Sequence, residues 1–269
     1  MNWNAVRAIV RKDLKVVFQN KGVSIPLIVA PVVMLVALPA VAALIPMSGT
    51  KFGTGGTLDM LQALPGLQAT LGGYDDAQRS VVFLLVYMMA PMYLLLPTIV
   101  ATTVAADSLA GEKERKTLEA LLYTPTTDWE LLLGKLLSAW LPAVTVAWGG
   151  FLVYAAMANL AAWPVMGRLF FPTIMWVILA VWVAPAAAAL GLGTTVLISS
   201  RARTFQEAYQ LGGVVVLPMV ALLAAQVFGG MVFSAWLVAL MGVLFWAIDA
   251  ALLWFGRRAF RRSKLAVQM

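Results

Sequence analysis

The sequence predicts an all-α integral membrane protein: an N-terminal interfacial helix followed by six transmembrane helices, with both termini cytoplasmic. Three observations predict it. Of 269 residues, 62% are hydrophobic and 12% charged, whereas soluble domains run at about 45–50% apolar and about 25% charged. Apolar runs recur from residue 24 to residue 255, too often for a single leader on a soluble domain. Lys and Arg fall almost entirely on one set of connections between those runs. The whole chain, 1–269, reads as a single transmembrane domain in which six spans of about 20 residues take up nearly half the length.

Residues 1–23 form the surface helix. Trp3, Val6, Val10, Leu14, Val17 and Phe18 follow a helical period, while Arg7, Arg11 and Lys15 make a basic stripe four apart. Such a helix lies in the headgroup plane, in contact with membrane lipids. A cleavable signal peptide is the other reading, but its charged region would be shorter and its apolar core would begin sooner. The spans follow at about 24–46, 81–105, 137–158, 172–198, 209–228 and 235–255. Of the connections, 47–80 is Gly-rich, contains Pro65 and reads as a flexible linker. The 106–136 segment is charged, and the others are short. Only about 26 residues separate Tyr209 from Trp236, so any re-entrant hairpin there is very short.

Orientation follows from the basic residues. Sixteen Lys and Arg lie in the N-terminal segment, the 106–136 loop, the fourth connection and the tail; only Lys51, Arg79 and Arg168 lie on the other side. That bias places both ends in the cytoplasm. The net charge of +7 thus serves topology, and no nucleic-acid partner is expected. Trp140, Trp163, Trp176, Trp236 and Trp254 sit near span ends and read as interfacial anchors. In span four, Ala187, Gly191 and Thr195 are four apart, a small-residue stripe that lets another helix approach closely.

Chemistry at membrane depth is sparse. The chain has no Cys and no His, which removes thiolate nucleophiles, imidazole metal sites and His bases; no metal site and no catalytic residue are expected. Asp249 is the only acid inside an apolar span. An intramembrane acid is a functional candidate by default, although one near a helix end, with Arg257 two turns later, also suits a structural hydrogen bond or contact with water. No phosphate-binding GxxxxGK[ST] loop occurs, and the GTGG run at Gly53–Gly56 lacks the lysine, so the chain is not expected to bind ATP itself.

The 106–136 loop carries the most information. Glu112–Lys116 and Arg115–Glu119 are i,i+4 pairs of opposite charge, and Leu118, Leu121 and Leu122 add an apolar stripe, predicting a short amphipathic helix over 111–123. Thr124-Pro125 ends it, and Thr127 to Glu130 reads as a capping box that starts the helix of span three.

The run GEKERKTLEALLYTP followed by WELLLGKLL resembles the cytoplasmic loop of type-2 ABC exporter permeases, which are similar in plan to the G-subfamily half transporters. The family's loop commonly reads E-K-E-R-G-T-L-E; here Lys116 stands in place of that Gly. The resemblance implies a coupling helix in which Glu112, Arg115, Thr117, Leu118, Glu119, Leu121 and Leu122 contact a separate ATPase subunit, with Thr124 and Pro125 setting its end. It implies two ATPase copies carrying ATP and Mg, and a second permease copy in a homodimer. Alternating access in the plasma membrane (the inner membrane of a prokaryotic cell) would then drive export. In the family, spans two and five line a central cavity, which implicates Tyr87, Met88, Met92, Tyr93, Met219 and Phe228 as adaptable apolar surface for substrate; ordinary packing or lipid contact is the competing role. Two further readings stay open: an ATP-independent channel or secondary transporter, and a membrane scaffold whose loop recruits a soluble partner. The substrate is not legible, because fold does not fix cargo.

Overall fold

A computed structural model describes residues 2–45, 71–117, 126–199, 202, 204–227 and 233–259, and these described residues form seven helical stretches. No strand occurs among them. The first helix, α1, is Trp3–Gln19, capped by the Asn2 side chain, which accepts from the amides of Asn4 and Ala5. The first span, α2, runs through Lys21–Val32, Val33–Ala37 and Leu38–Leu44. Next come α3, Asp76–Glu114; α4, Asp128–Met166; and α5, Ile174–Ser199. Finally, α6 comprises Phe205–Gly212, Gly213–Val215 and Val216–Val227, and α7 is Ala235–Ala259. Six of the seven, all but α1, are long and apolar enough to cross a membrane.

Two spans are much longer than their apolar runs. At 1.5 Å per residue, the 39 residues of α3 and of α4 give about 58 Å each, nearly twice a hydrocarbon core of about 30 Å. Hydropathy marks only the part at lipid depth; local chemistry sets the ends. Asp75 and Gln78 form a capping box at the start of α3, and Thr127 and Glu130 form the expected one at the start of α4. Gly167, with φ of +60°, closes α4 in the left-handed conformation glycine favours. The segment after residue 158, expected as a connection, is therefore helical up to Met166.

Hydrogen bonds between helices give the register. Tyr93 donates to the Ala147 carbonyl and Tyr154 to that of Leu85, so α3 and α4 are antiparallel. Trp176 donates to the Val86 carbonyl and Thr98 to that of Ala187, so α3 and α5 run parallel. Asn2 meets Glu130 at the start of α4, and Leu252 of α7 meets Gly193 near the end of α5, so α1 and the end of α7 lie toward the end of the bundle where α3 and α5 finish, the one rich in Lys and Arg.

The small-residue stripe of span four packs as expected. A Cβ on Gly191 would lie 2.8 Å from the Thr98 carbonyl oxygen and 2.9 Å from Thr102 Oγ1, so α3 and α5 approach nearly backbone to backbone. Thr195 reaches the start of α6, within 2.6 Å of where a Cβ on Gly212 would be.

Trp176 and Trp140 depart from the anchoring expectation. Trp176 is fully buried, stacked 4.7 Å from Tyr154 and edge-on to Phe171, with its indole N–H satisfied by Val86. Trp140 is half-buried and donates to the Pro185 carbonyl. Position near a span end does not say which way a ring faces, and both rings find partners inside the bundle. Trp163, Trp236 and Trp254 are exposed, as anchoring requires.

Candidate functional site

At the Lys/Arg-rich end, α3 and α4 carry extra turns beyond the lipid-depth segment, and α1 lies alongside them. Asn2 N–H donates to Glu130, Ile9 sits 2.8 Å from the position of a Cβ on Gly134, and Asp13 accepts from Ser138. The partner number on α4 rises with that on α1 in all three pairs, so α1 and the start of α4 run parallel in close contact. The buried stripe of α1 is Val6, Ile9, Asp13 and Val17; the basic stripe of Arg7, Arg11 and Lys15 is exposed, as is Phe18.

Asp13 therefore occupies an apolar-face position, where it anchors a buried ionic cluster. Lys135 Nζ, 2% exposed for the residue as a whole, donates to Glu112 Oε2 at 2.6 Å, the Ser108 carbonyl at 2.6 Å and Ser108 Oγ at 3.1 Å, and lies 3.6 Å from Asp13 Oδ2. Ser108 Oγ donates to Asp13 at 2.8 Å and Ser138 Oγ does so at 3.2 Å. Lys12, partly exposed, closes the ring by pairing with both Glu112 and Asp13. Two cations and two anions balance, and two hydroxyls donate to Asp13 Oδ2, the kind of pairing and hydrogen bonding a buried ion cluster needs to survive desolvation.

A second pair flanks the first. Arg115 Nη1 donates to buried Asp107 at 2.9 Å, and Asn20 Nδ2 reaches the same oxygen at 3.4 Å. Glu114 accepts from the Phe205 amide at 2.9 Å, and Lys113 Nζ donates to the Ala202 carbonyl at 3.4 Å. The last turn of α3 thus grips α1, α4 and the entry to α6 together.

Burial works against charge on Asp13, but Lys135 and then Lys12, with the Ser108 hydrogen bond, more than offset it and hold the carboxyl below its ordinary range. For Lys12, burial lowers the pKa, yet the bond to Glu112 and the field of Asp13 outweigh it and raise the ammonium above its usual value. The signs give opposite limbs. Asp13 contributes stability above its unfolded pKa of about 3.9, lost as pH falls through the lower folded value. Lys12 contributes below about 10.5, lost as pH rises through its raised folded value. The melting-temperature advantage of the parent chain over Asp13→Asn should therefore hold at neutral pH and shrink below about pH 4, measured by thermal unfolding in detergent.

The helix expected over 111–123 starts differently. Glu112 lies in the last turn of α3, and its partners are Lys12 and Lys135 rather than Lys116. The helix ends at Glu114, and Lys116 turns the chain with φ of +57°. Thr117 then donates from its amide to the Glu112 carbonyl at 2.9 Å. A left-handed conformation is where glycine costs least, so Lys116 stands where the resembling loops carry Gly for a backbone reason. Lys116→Gly should raise stability by a few tenths to about 1 kcal/mol, read as a small rise in melting temperature.

Of the expected contact residues, Glu112 is buried inside the cluster, while Arg115 and Thr117 are exposed. Leu118, Glu119, Leu121, Leu122, Thr124 and Pro125 lie outside the described residues, as do Phe228 and Gly53–Gly56. Among the cavity candidates, Tyr93 and Met219 are 2% and 1% exposed within this one chain and Met88 is also buried; all three pack in its own core. Tyr87 and Met92 are half-buried. Asp249 is 2% exposed, with no hydrogen-bond partner for either carboxylate oxygen among the described residues.

Sequence reasoning missed Lys12, Asp13, Asp107, Ser108, Lys135 and Ser138. Two signals were available: an acid on the apolar stripe of α1, and a lysine inside the leucine run LLLGKLL. Each is a charge on a face that must be buried, and the two call for each other.

A family model described as ABC-2 family transporter protein matches residues 7–222 of the 269. No curated protein matches the chain, and no solved structure does.

Proposed function

Because the chain belongs to the ABC-2 transporter family and is a multi-pass membrane permease of ABC-type transport, we propose that it is an exporter subunit whose transport is driven by a separate ATPase. The ATPase seats on the 106–136 loop at the Lys/Arg-rich end, which faces the cytoplasm. ATP and Mg reside on that partner, in two copies, and two copies of this chain form the membrane dimer of a prokaryotic plasma membrane.

The observation that carries this reading is the buried cluster of Lys12, Asp13, Glu112 and Lys135 at the base of the loop. A loop that only tethered two spans would not need it. The cluster joins the surface helix, α3 and α4 into one body, and Glu114 adds the entry to α6. A push on the loop then reaches several spans at once as a rigid displacement, the kind of motion that exchanges inward and outward openings. Glu112 acts inside this body as a clamp. Arg115, Thr117 and the leucines Leu118, Leu121 and Leu122 supply the outer contact, apolar at its centre with charge at the rim.

Affinity purification of the full chain in mild detergent from its own host, followed by partner identification and an ATPase assay, tests the reading. A stoichiometric soluble ATPase should accompany the parent chain and be lost from Leu118→Pro. A chain that purifies alone, without ATPase activity at any step, would instead point to a channel or scaffold.

A further inference from the structure

Asp249 lies six residues inside the apolar end of α7 at Phe255, about 9 Å along the helix. It borders a cavity of about 180 Å³ between the start of α4, the end of α5 and α7, walled by Leu133, Leu136, Trp140, Leu192 and Trp246. Asp249 and Trp246 both line it, and both Asp249 oxygens and the Trp246 indole N–H are buried without a hydrogen-bond partner among the described residues. One acceptor pair and one donor, all unmet, belong to two residues one turn apart on α7, and both residues line the same small cavity. Leaving them so costs free energy that an occupant would recover.

The chemistry of the walls selects the occupant. No described Lys or Arg lines the cavity, so the carboxylate calls for a cation. A lone acid is too little for a metal ion, and no cluster of three acidic side chains suited to one occurs among the described residues. Trp140 and Trp246 add aromatic rings, which favour organic cations. Trp140 is fixed in the wall by its bond to Pro185. The volume is below the roughly 300–1,000 Å³ of a site that encloses a whole drug-sized ligand. It suits a compact head, with an alkyl chain leaving past Leu253, which is 42% exposed.

From the unmet Asp249 carboxylate and Trp246 N–H in this apolar cavity, we infer a binding site for the ammonium head of an alkyl amine. The carboxylate takes the ammonium, and the indole N–H serves an oxygen beside it where the ligand has one. The head comes either from an aminophospholipid or from a free lipophilic amine. The site lies on α4, α5 and α7, apart from residues 111–123, and does not depend on an ATPase.

The test uses the purified full chain in neutral detergent with a diazirine-bearing dodecylamine, photolysed and mapped by peptide mass spectrometry. Labelling should fall on 133–140 and 246–253, be displaced by dodecylamine, and be left in place by dodecanol. Asp249→Asn should weaken displacement about tenfold or more, about 1.4 kcal/mol per factor of ten, and Asp249→Glu should restore most of it. Vesicles of phosphatidylethanolamine compared with phosphatidylglycerol distinguish the sources. Competition by the former alone identifies a lipid head; competition by neither leaves the free amine as the ligand. Equal displacement by dodecanol, or unchanged affinity in a folded Asp249→Asn, overturns the ammonium site. Should that variant not fold, the amine-against-alcohol comparison on the parent chain decides alone.

Discussion

Lys135→Ala should lower the stability of the chain by about 3–5 kcal/mol, the usual cost of removing one partner from a buried ion cluster. In detergent this would appear as a drop of about 10 °C in melting temperature, or as failure to accumulate folded protein. The size follows from what is left behind. Without the ammonium, Glu112 and Asp13 remain buried as anions with only partly exposed Lys12 between them, and the Ser108 carbonyl loses a donor. Replacing Lys135, Asp13 and Glu112 together by leucine should recover much of the loss, since the one charge left, Lys12, is partly exposed and can turn to solvent. By contrast, exposed Arg11→Ala should change stability by no more than about 0.5 kcal/mol. If Lys135→Ala melts where the parent does, the cluster is not the clamp described here. The recovered triple variant also separates folding from function: a stable chain that no longer couples loop to spans would assign the ions to force transfer rather than to stability.

The second large effect belongs to Gly191→Val. A Cβ there would stand 2.8 Å from the Thr98 carbonyl oxygen, a backbone atom that no rotamer change can move. Overpacking of this kind costs about 1–3 kcal/mol. Here the added bulk also pushes against the Thr98–Ala187 hydrogen bond on which α3 and α5 register. Gly149→Ala makes the control, because a Cβ at Gly149 meets nothing within 4 Å; it should melt with the parent or slightly above it, given the helix propensity of alanine. Comparable melting of both variants would mean that α3 and α5 lie farther apart than described.

Much of this was legible because it is local or periodic. The apolar runs, the capping box at Thr127–Glu130 and the Ala187–Gly191–Thr195 stripe each depend on residues within a few turns of one another. So did the basic stripe of α1, which proved exposed as its spacing required. The errors share one cause. Hydropathy stops where lipid stops, so the helices of 39 residues looked shorter than they are. Trp176 was read from its place near a span end, yet it is the centre of an aromatic packing group with Tyr154 and Phe171. Helical i,i+4 spacing pairs Glu112 with Lys116, but the left-handed backbone of Lys116 takes it out of helical register.

The sequence by itself determined that this chain is an all-α membrane protein with six spans, and it carried the resemblance that the family match bears out, because hydropathy and local motifs are written residue by residue. Only the tertiary structure decided the partners of the buried charges. The bonds from Asp13 to Ser108 and Ser138, and from Lys12 to Glu112, join residues 95, 125 and 100 positions apart. No local rule reaches across that distance. A buried ion selects its partner by proximity in space at low dielectric, and that proximity exists only once α1 has settled against α3 and α4.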